Sequence, residues 1–547
     1  MKRHIIITLL LLSSALTITA QSLPTIKITY NGNTASVTVP TTITDVDVTT
    51  TGSDVEITSG TTSAEYAYEV SGESTDGSLV INGSYKLTLR LNGITLHNSR
   101  GAAIDIECGK RIAVELVEGT NNTLSDSSSG QQKAAFYFTG HPEFEGGGTL
   151  NVTGNTKHAI SSKEYLQLKK TTGTINILGA QSDGIHCGKG KVSNEHNYFE
   201  MKGGTVNISN IGSDGIDSDD FGVVHIKGGA INITMDSADA TGIKADSILT
   251  VSGGVINMLV KGTGSNGIKS SYSAQISGGD IRITALGDGS KGLKCKEGTT
   301  TVLNGGDLIV DGGNIEVYSL GKTIITDSDT TKSMPMSIDN NFTQNGGEIY
   351  FYSFGPESNE YKVKGTESLN DGILRMYRAP WYLNPSDYEF DMSSFVRVKI
   401  NDNFVEDYGN YAIGAFNGED CCGVAEFITP NYGILRIRSN SVSQTPISFK
   451  LYDYETSTTY DLEPDQDVTF QSSGCYGLPS TPMILSMTLK DRLKCDVNED
   501  GKVDISDIVA VINQIAGTAT YRYADVNDDG KVDISDIVAI INFIAGQ

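Results

Sequence analysis

The chain has 547 residues, a formal net charge of −25, 61 glycines, 12 prolines and one tryptophan. So negative a balance argues against nucleic acid and anionic membrane surfaces as partners, and suits bound divalent cations. No stretch after the N-terminus reaches the roughly 20 apolar residues of a membrane span, and the glycine content points to many turns between short strands.

Residues 1–20 read as a secretory signal peptide. Lys2 and Arg3 give the positive start, Ile5 to Leu12 the short apolar run, and Ala20 a small residue before the cut at Gln21. The expectation is an exported protein without membrane insertion. Seven cysteines is an odd number for such a chain, so at least one thiol is unpaired or pairs elsewhere. Cys421, Cys422, Cys475 and Cys495 cluster late and could hold one disulfide. Cys108, Cys187 and Cys295 read as buried small apolar residues.

An internal repeat follows. Gly-x-apolar-x-apolar recurs with its first residue after the glycine at 149, 174, 205, 230, 255, 280, 314 and 348, a step of 25 with longer steps of 31 and 34. Between these phrases runs a second column: HAIS (158–161), DGIH (183–186), DGID (214–217), TGIK (241–244), NGIK (266–269) and KGLK (291–294). A third apolar segment, as in Ile248–Val251, precedes several of the glycine pairs. Three short Val/Ile/Thr-rich strands per repeat, punctuated by Gly-Gly, predict one coil of a parallel β-helix over residues 21–355. A single coil cannot bury its apolar positions, whereas stacked coils bury them in a continuous column. Alternation then turns Leu150 and Val152 inward and Asn151 outward, with Asn176, Asn207, Asn232 and Asn257 stacked on it.

Residues Gly83 to Leu89, LNGITLHNSRGAAIDI (91–106), EGTNNTLSD (118–126) and the DGIH and DGID coils together resemble a family of secreted carbohydrate-binding domains. The resemblance implies a right-handed, pectate-lyase-like parallel β-helix that binds calcium and is associated with acidic plant polysaccharides and cellulose. That family is better known for binding than for catalysis.

In the second column the Ile faces in, so His186, Asp217, Lys244, Lys269 and Lys294 share one outer face. Asp183 and Asp214 fall one coil, about 4.8 Å, apart, close enough for one Ca²⁺ to bridge them together with Asp217. The competing reading is that these aspartates cap glycine-containing turns. His186, Lys244, Lys269 and Lys294 are candidates for holding a uronate carboxylate. If the chain is instead a polysaccharide lyase acting by β-elimination, Lys244 or Lys269 is the candidate base, since stacked lysines lower one another's pKa. A solvated ladder without function is the third reading.

Residues 380–490 lose the repeat and show alternating strands (396–400, 435–437, 447–451), which predict a β-sandwich. The phrases WYLNPSDYEFDMS, AIGAFNGEDCCGVAE and FKLYDYETSTTYDL resemble a β-domain found ahead of dockerins in secreted bacterial proteins.

Residues 495–547 hold the most specific motif. Asp496, Asn498, Asp500, Asp504 and Asp507 fall at positions 1, 3, 5, 9 and 12 of an EF-hand-type loop, with Gly501 at the sharp turn and the Lys502 carbonyl at position 7. Asp525, Asn527, Asp529, Lys531, Asp533 and Asp536 repeat the set 29 residues on. Each loop runs into a predicted helix, DISDIVAVINQIAG or DISDIVAIINFIAG. The pair closely resembles a type I dockerin, which implies two calcium ions and a cohesin-bearing scaffold protein as partner. Ile505 and Ile534, at loop position 10, depart from the hydroxyl residue commoner there.

Three functions remain open on the sequence: a secreted calcium-dependent protein binding pectin-like polysaccharide or cellulose in a degrading assembly, a calcium-dependent pectate-type lyase, and a structural or adhesive spacer.

Overall fold

A computed structural model describes residues 22–188, 197–296 and 305–545, apart from breaks at 327–329, 356–357, 379–380, 382, 384–387, 407, 409–410, 430, 443, 454–455, 457, 489–494, 499–501, 517–520, 522–523 and 528–530. The expected signal peptide and the candidate ligands Asp500 and Asp529 lie outside the described residues, as do Gly501 and Gly530. The described chain is mainly β and divides into two compact units, which meet in sequence between Tyr382 and Leu383.

In the first unit the repeat read from sequence is the strand register. Thr149 pairs with Thr174, Thr174 with Thr205, Thr205 with Ala230, and so on through Val255, Asp280, Asn314 and Glu348, always in parallel. The ladder continues one step beyond residue 355, because Glu348 also pairs with Ile373 of the strand Ile373–Arg378. That last strand follows a single glycine rather than a Gly pair, which hid it in the sequence. Among the described residues the unit holds one sheet of 21 strands and one of 13.

Stacked apolar side chains are what the register buries. Leu150, Ile175, Val206, Ile231, Ile256, Ile281, Ile315 and Ile349 all belong to one core, and each removes about 1.5–3 kcal/mol worth of apolar surface from water. The second glycine of each pair turns the chain between adjacent strands. Gly254 has φ +92° and passes so close to Gly229 that a Cβ would meet its carbonyl oxygen at 2.9 Å. At the N-terminal end, Thr34–Thr38 and Val46–Thr51 pair antiparallel with their neighbours and so cover the first parallel strands.

The asparagines form the outward ladder expected of them. Asn151, Asn176, Asn207, Asn232 and Asn257 each donate a side-chain amide to the asparagine before, at 2.7–3.0 Å.

In the second unit the predicted sandwich is instead a closed sheet. Phe390–Ile400 pairs antiparallel with Tyr432–Ser439 through its first half and in parallel with Met483–Met487 through its second. The intervening strands complete the circuit, making a barrel. Alternation foretold the strands but not the double partnership of this long one. No disulfide joins Cys108, Cys187, Cys295, Cys421, Cys422 or Cys475.

Two helices end the chain, Ile505–Ile515 and Ile534–Ala545. Asp504 caps the first: its side chain accepts from the Ser506 amide while Asp507 completes a capping box.

Candidate functional site

The 13-stranded sheet carries the charged column on its outward side. Ile185, Ile216, Ile243, Ile268 and Leu293 enter the core. The next residues pair in series: His186 with Asp217, Asp217 with Lys244, Lys244 with Lys269, and Lys269 with Lys294. Rungs about 4.8 Å apart therefore change sign along one line, from acid to base.

At the acidic end the three candidate ligands meet. Asp183, Asp214 and Asp217 each offer an oxygen within 4.8 Å of the others. Asp183 Oδ1 accepts from the Asp214 amide at 3.1 Å, and Asp214 Oδ1 from the Thr241 amide at 2.7 Å. Turn chemistry and convergence thus coexist at Asp183 and Asp214: each gives Oδ1 to the next turn, while Asp183 Oδ2 faces His158 and His186 and Asp214 Oδ2 faces Lys244. Asp217 is only 4 % exposed, and its Oδ1 faces the Lys244 ammonium at 3.0 Å.

His158 and Asp246 join this group, and neither was singled out from sequence. His158 Nδ1 lies 3.0 Å from Asp183 Oδ2, and His186 Nδ1 lies 3.2 Å from the same oxygen and 3.4 Å from Asp217 Oδ2. Lys244 Nζ lies 3.0 Å from Asp217, 3.4 Å from Asp219, 3.5 Å from Asp214 and 3.8 Å from Asp246. The signal for His158 was present in the alignment of HAIS with DGIH, where His stands in the place of Asp183.

The environment splits the protonation states. Burial pushes Asp183 upward, but the hydrogen bonds and charges of His158 and His186 outweigh it and hold the carboxyl below its usual range. Burial pushes His186 down, yet Asp183 and Asp217 lift it to about 9. Burial, then Asp217, raise Asp214 to about 6. Burial lowers Lys244, but Asp217 and Asp214 more than reverse this. Five carboxylates here (Asp183, Asp214, Asp217, Asp219, Asp246) face two cations, His186 and Lys244, and a divalent cation would relieve the excess.

The lysines differ along the column. Burial and then Lys244 lower Lys269. Burial, then Lys291 and Lys269, bring Lys294 to about 8. Neither makes an ion pair among the described residues. The expected mutual lowering therefore acts at Lys269 and Lys294, whereas Lys244, tied to the acids, is held protonated.

In the tail, Asp507 and Asp536 are buried and bind the loops together. Asp507 accepts from the amides of Val497, Asn498 and Asp504 at 2.6, 3.0 and 2.9 Å. Asp536 accepts from those of Val526, Asn527 and Asp533 at 2.7, 3.2 and 2.9 Å. Asp504 and Asp533 each accept from the serine two residues on. Asn498 and Asn527 donate to those same serines, Ser506 and Ser535. Asp496 is also buried, at the edge of the small core built on Cys495, Val497, Val511 and Ile540.

Residues 494–545 match the family model of the type I dockerin domain. Residues 51–274, which include the acidic cluster and Lys269, match the model described as carbohydrate-binding domain-containing protein. A carbohydrate-binding domain-containing protein of Acetivibrio thermocellus is 26 % identical over 120 residues, 20 % of this chain. The match spans 41 % of that relative's length. A solved polysaccharide lyase-like protein from C. thermocellum aligns with 65 % of this chain and 97 % of its own at 17 % identity, with a TM-score of 0.27. No helix among the described residues is long and apolar enough to cross a membrane.

Proposed function

We propose that the parallel ladders of the first unit close into a right-handed parallel β-helix whose charged outward column binds an acidic, pectin-like polysaccharide with calcium, outside the cell. The observation that carries this reading is the abutment of Asp183, Asp214 and Asp217 on Lys269 and Lys294, two half-buried cations that make no ion pair among the described residues. Cations desolvated in this way are stabilised by an anionic ligand, and uronate carboxylates supply one. The donor set fits calcium, because Asp183, Asp214 and Asp217 offer only oxygens, all within 4.8 Å of one another. Asp183, Asp214 and Asp217 would hold the ion, which supplies charge to a sugar carboxylate when bound. His186 and Lys244 are assigned to the same groove.

The tail is assigned two further calcium ions, one on Asp496, Asn498, Asp500, Lys502, Asp504 and Asp507, the other on Asp525, Asn527, Asp529, Lys531, Asp533 and Asp536. Its dockerin match supports attachment to a cohesin-bearing scaffold of a polysaccharide-degrading assembly. Ile505, Val509, Ile512 and Ile515 leave an exposed apolar stripe on the first helix, and Ile534, Val538 and Ile541 repeat it on the second. Such a face suits an apolar partner surface.

A lyase is the second reading, favoured by Lys294, whose depressed pKa of about 8 suits a base. Incubation with polygalacturonate, with and without calcium, separates the readings. Calcium-dependent pull-down without ultraviolet-absorbing unsaturated products supports binding, and products support the lyase. Neither would leave a structural spacer and overturn the proposal.

A further inference from the structure

We infer that His158, Asp183 and His186 form a site for a borderline transition-metal ion such as Zn²⁺ or Cu²⁺, chemically distinct from the all-oxygen triad beside it. The inference goes beyond the sugar-binding reading but shares Asp183 with it.

Three observations carry it. The two imidazoles turn Nδ1 toward one oxygen, Asp183 Oδ2, at 3.0 and 3.2 Å. The three ligand atoms lie within 4.8 Å of one another, with the rings stacked at 4.3 Å between centroids. His158 is 1 % exposed, so its Nδ1, 3.0 Å from Asp183 Oδ2, is shielded from water. Two buried imidazole nitrogens that face one carboxylate oxygen are a ready ligand set, because a metal ion can replace the proton they share with it. A fourth donor is near, since Asp217 Oδ2 lies 3.4 Å from His186 Nδ1, and His186, Asp217 and Asp219 form a second convergent group.

Ligand chemistry decides the class of ion. Calcium takes oxygen donors almost exclusively, whereas imidazole suits zinc, copper, iron and nickel. Of the three overlapping groups, only Asp183/Asp214/Asp217 is free of nitrogen. An ion on the imidazoles would draw Asp183 away from the calcium triad, so the two ions should oppose each other, and by linkage each weakens the other by the same factor.

The test uses the full chain, stripped with chelator and given one equivalent of Cu²⁺ without calcium and again after calcium is added. Electron paramagnetic resonance should show coupling to imidazole nitrogen. His158→Gln should remove one nitrogen and weaken copper binding by about tenfold or more, and the His158→Gln/His186→Gln pair should abolish the nitrogen signal. His186→Gln alone gives the same readout if the pair does not fold. An oxygen-only spectrum, or nitrogen coupling unchanged in these variants, overturns the site. Polygalacturonate pull-down is read in parallel. Absent sugar binding by the unmodified chain with the nitrogen signal intact marks a failure of the groove reading, while an absent nitrogen signal with sugar binding intact marks a failure of this inference alone.

Discussion

Lys244 Nζ sits 3.0 Å from Asp217 Oδ1, its partner on the preceding strand of the same outward column. Here the column changes sign. The pair lies at the seam between a crowded acidic cluster and Lys269 and Lys294, which make no ion pair among the described residues.

Removing the ammonium leaves the buried Asp217 carboxylate with less compensation. Lys244→Met should destabilise the first unit by about 3 kcal/mol in chelator, the usual scale for breaking a buried pair. Calcium should restore much of the loss. Thermal unfolding of wild type and variant, with and without calcium, checks this, and equal calcium stabilisation of both would contradict it.

Stability should also depend on pH in chelator. His186 has its pKa raised from 6.5 to about 9, so its contribution is full below about 6.5 and lost as pH rises through 9. Asp214, raised from 3.8 to about 6, loses its contribution as pH rises through that lower window. The lowered Asp183 acts oppositely, its contribution being lost as pH falls below the usual carboxylate range. The melting temperature should therefore fall between pH 6.5 and 9, and His186→Gln should flatten that fall.

The asparagine ladder is a separate test of the parallel register. Asn207 donates to Asn176 and accepts from Asn232. Asn207→Ala breaks both bonds, at about 1 kcal/mol each, and urea denaturation reads the shift in midpoint. A neutral result would show that the ladder adds nothing to stability.

In the tail, Asp507→Ala should remove one bound calcium and unwind the first helix start, because that carboxylate holds three loop amides. Calorimetric stoichiometry lower by one ion, with the second loop still loaded, is the expected outcome.

Much of this was legible in the sequence, for identifiable reasons. Parallel stacking repeats its chemistry at fixed spacing, so the glycine pairs and the apolar residues after them disclosed the register from Thr149 to Glu348. The same regularity puts Asp183, Asp214 and Asp217 on one edge of neighbouring strands. His158 escaped because it replaces an aspartate at its place in the repeat, and the rung at Ile373 because its glycine pair is missing. The protonation of Lys244 was misjudged because alternation places a side chain on a face but does not reveal that Asp214, Asp219 and Asp246, from neighbouring columns, lean toward it. The barrel was read as a sandwich because strand pairing in a non-repeating domain leaves no mark in composition.

The most direct test of the central claim is calorimetric titration of the full chain with a polygalacturonate oligomer in calcium and in chelator, for wild type and Lys269→Ala. Binding in calcium that weakens at least about tenfold in chelator, and again in the variant, is the expected result, each charged contact being worth roughly 1.5–3 kcal/mol. Equal affinity in calcium and chelator, or a variant that binds like wild type, would contradict the account.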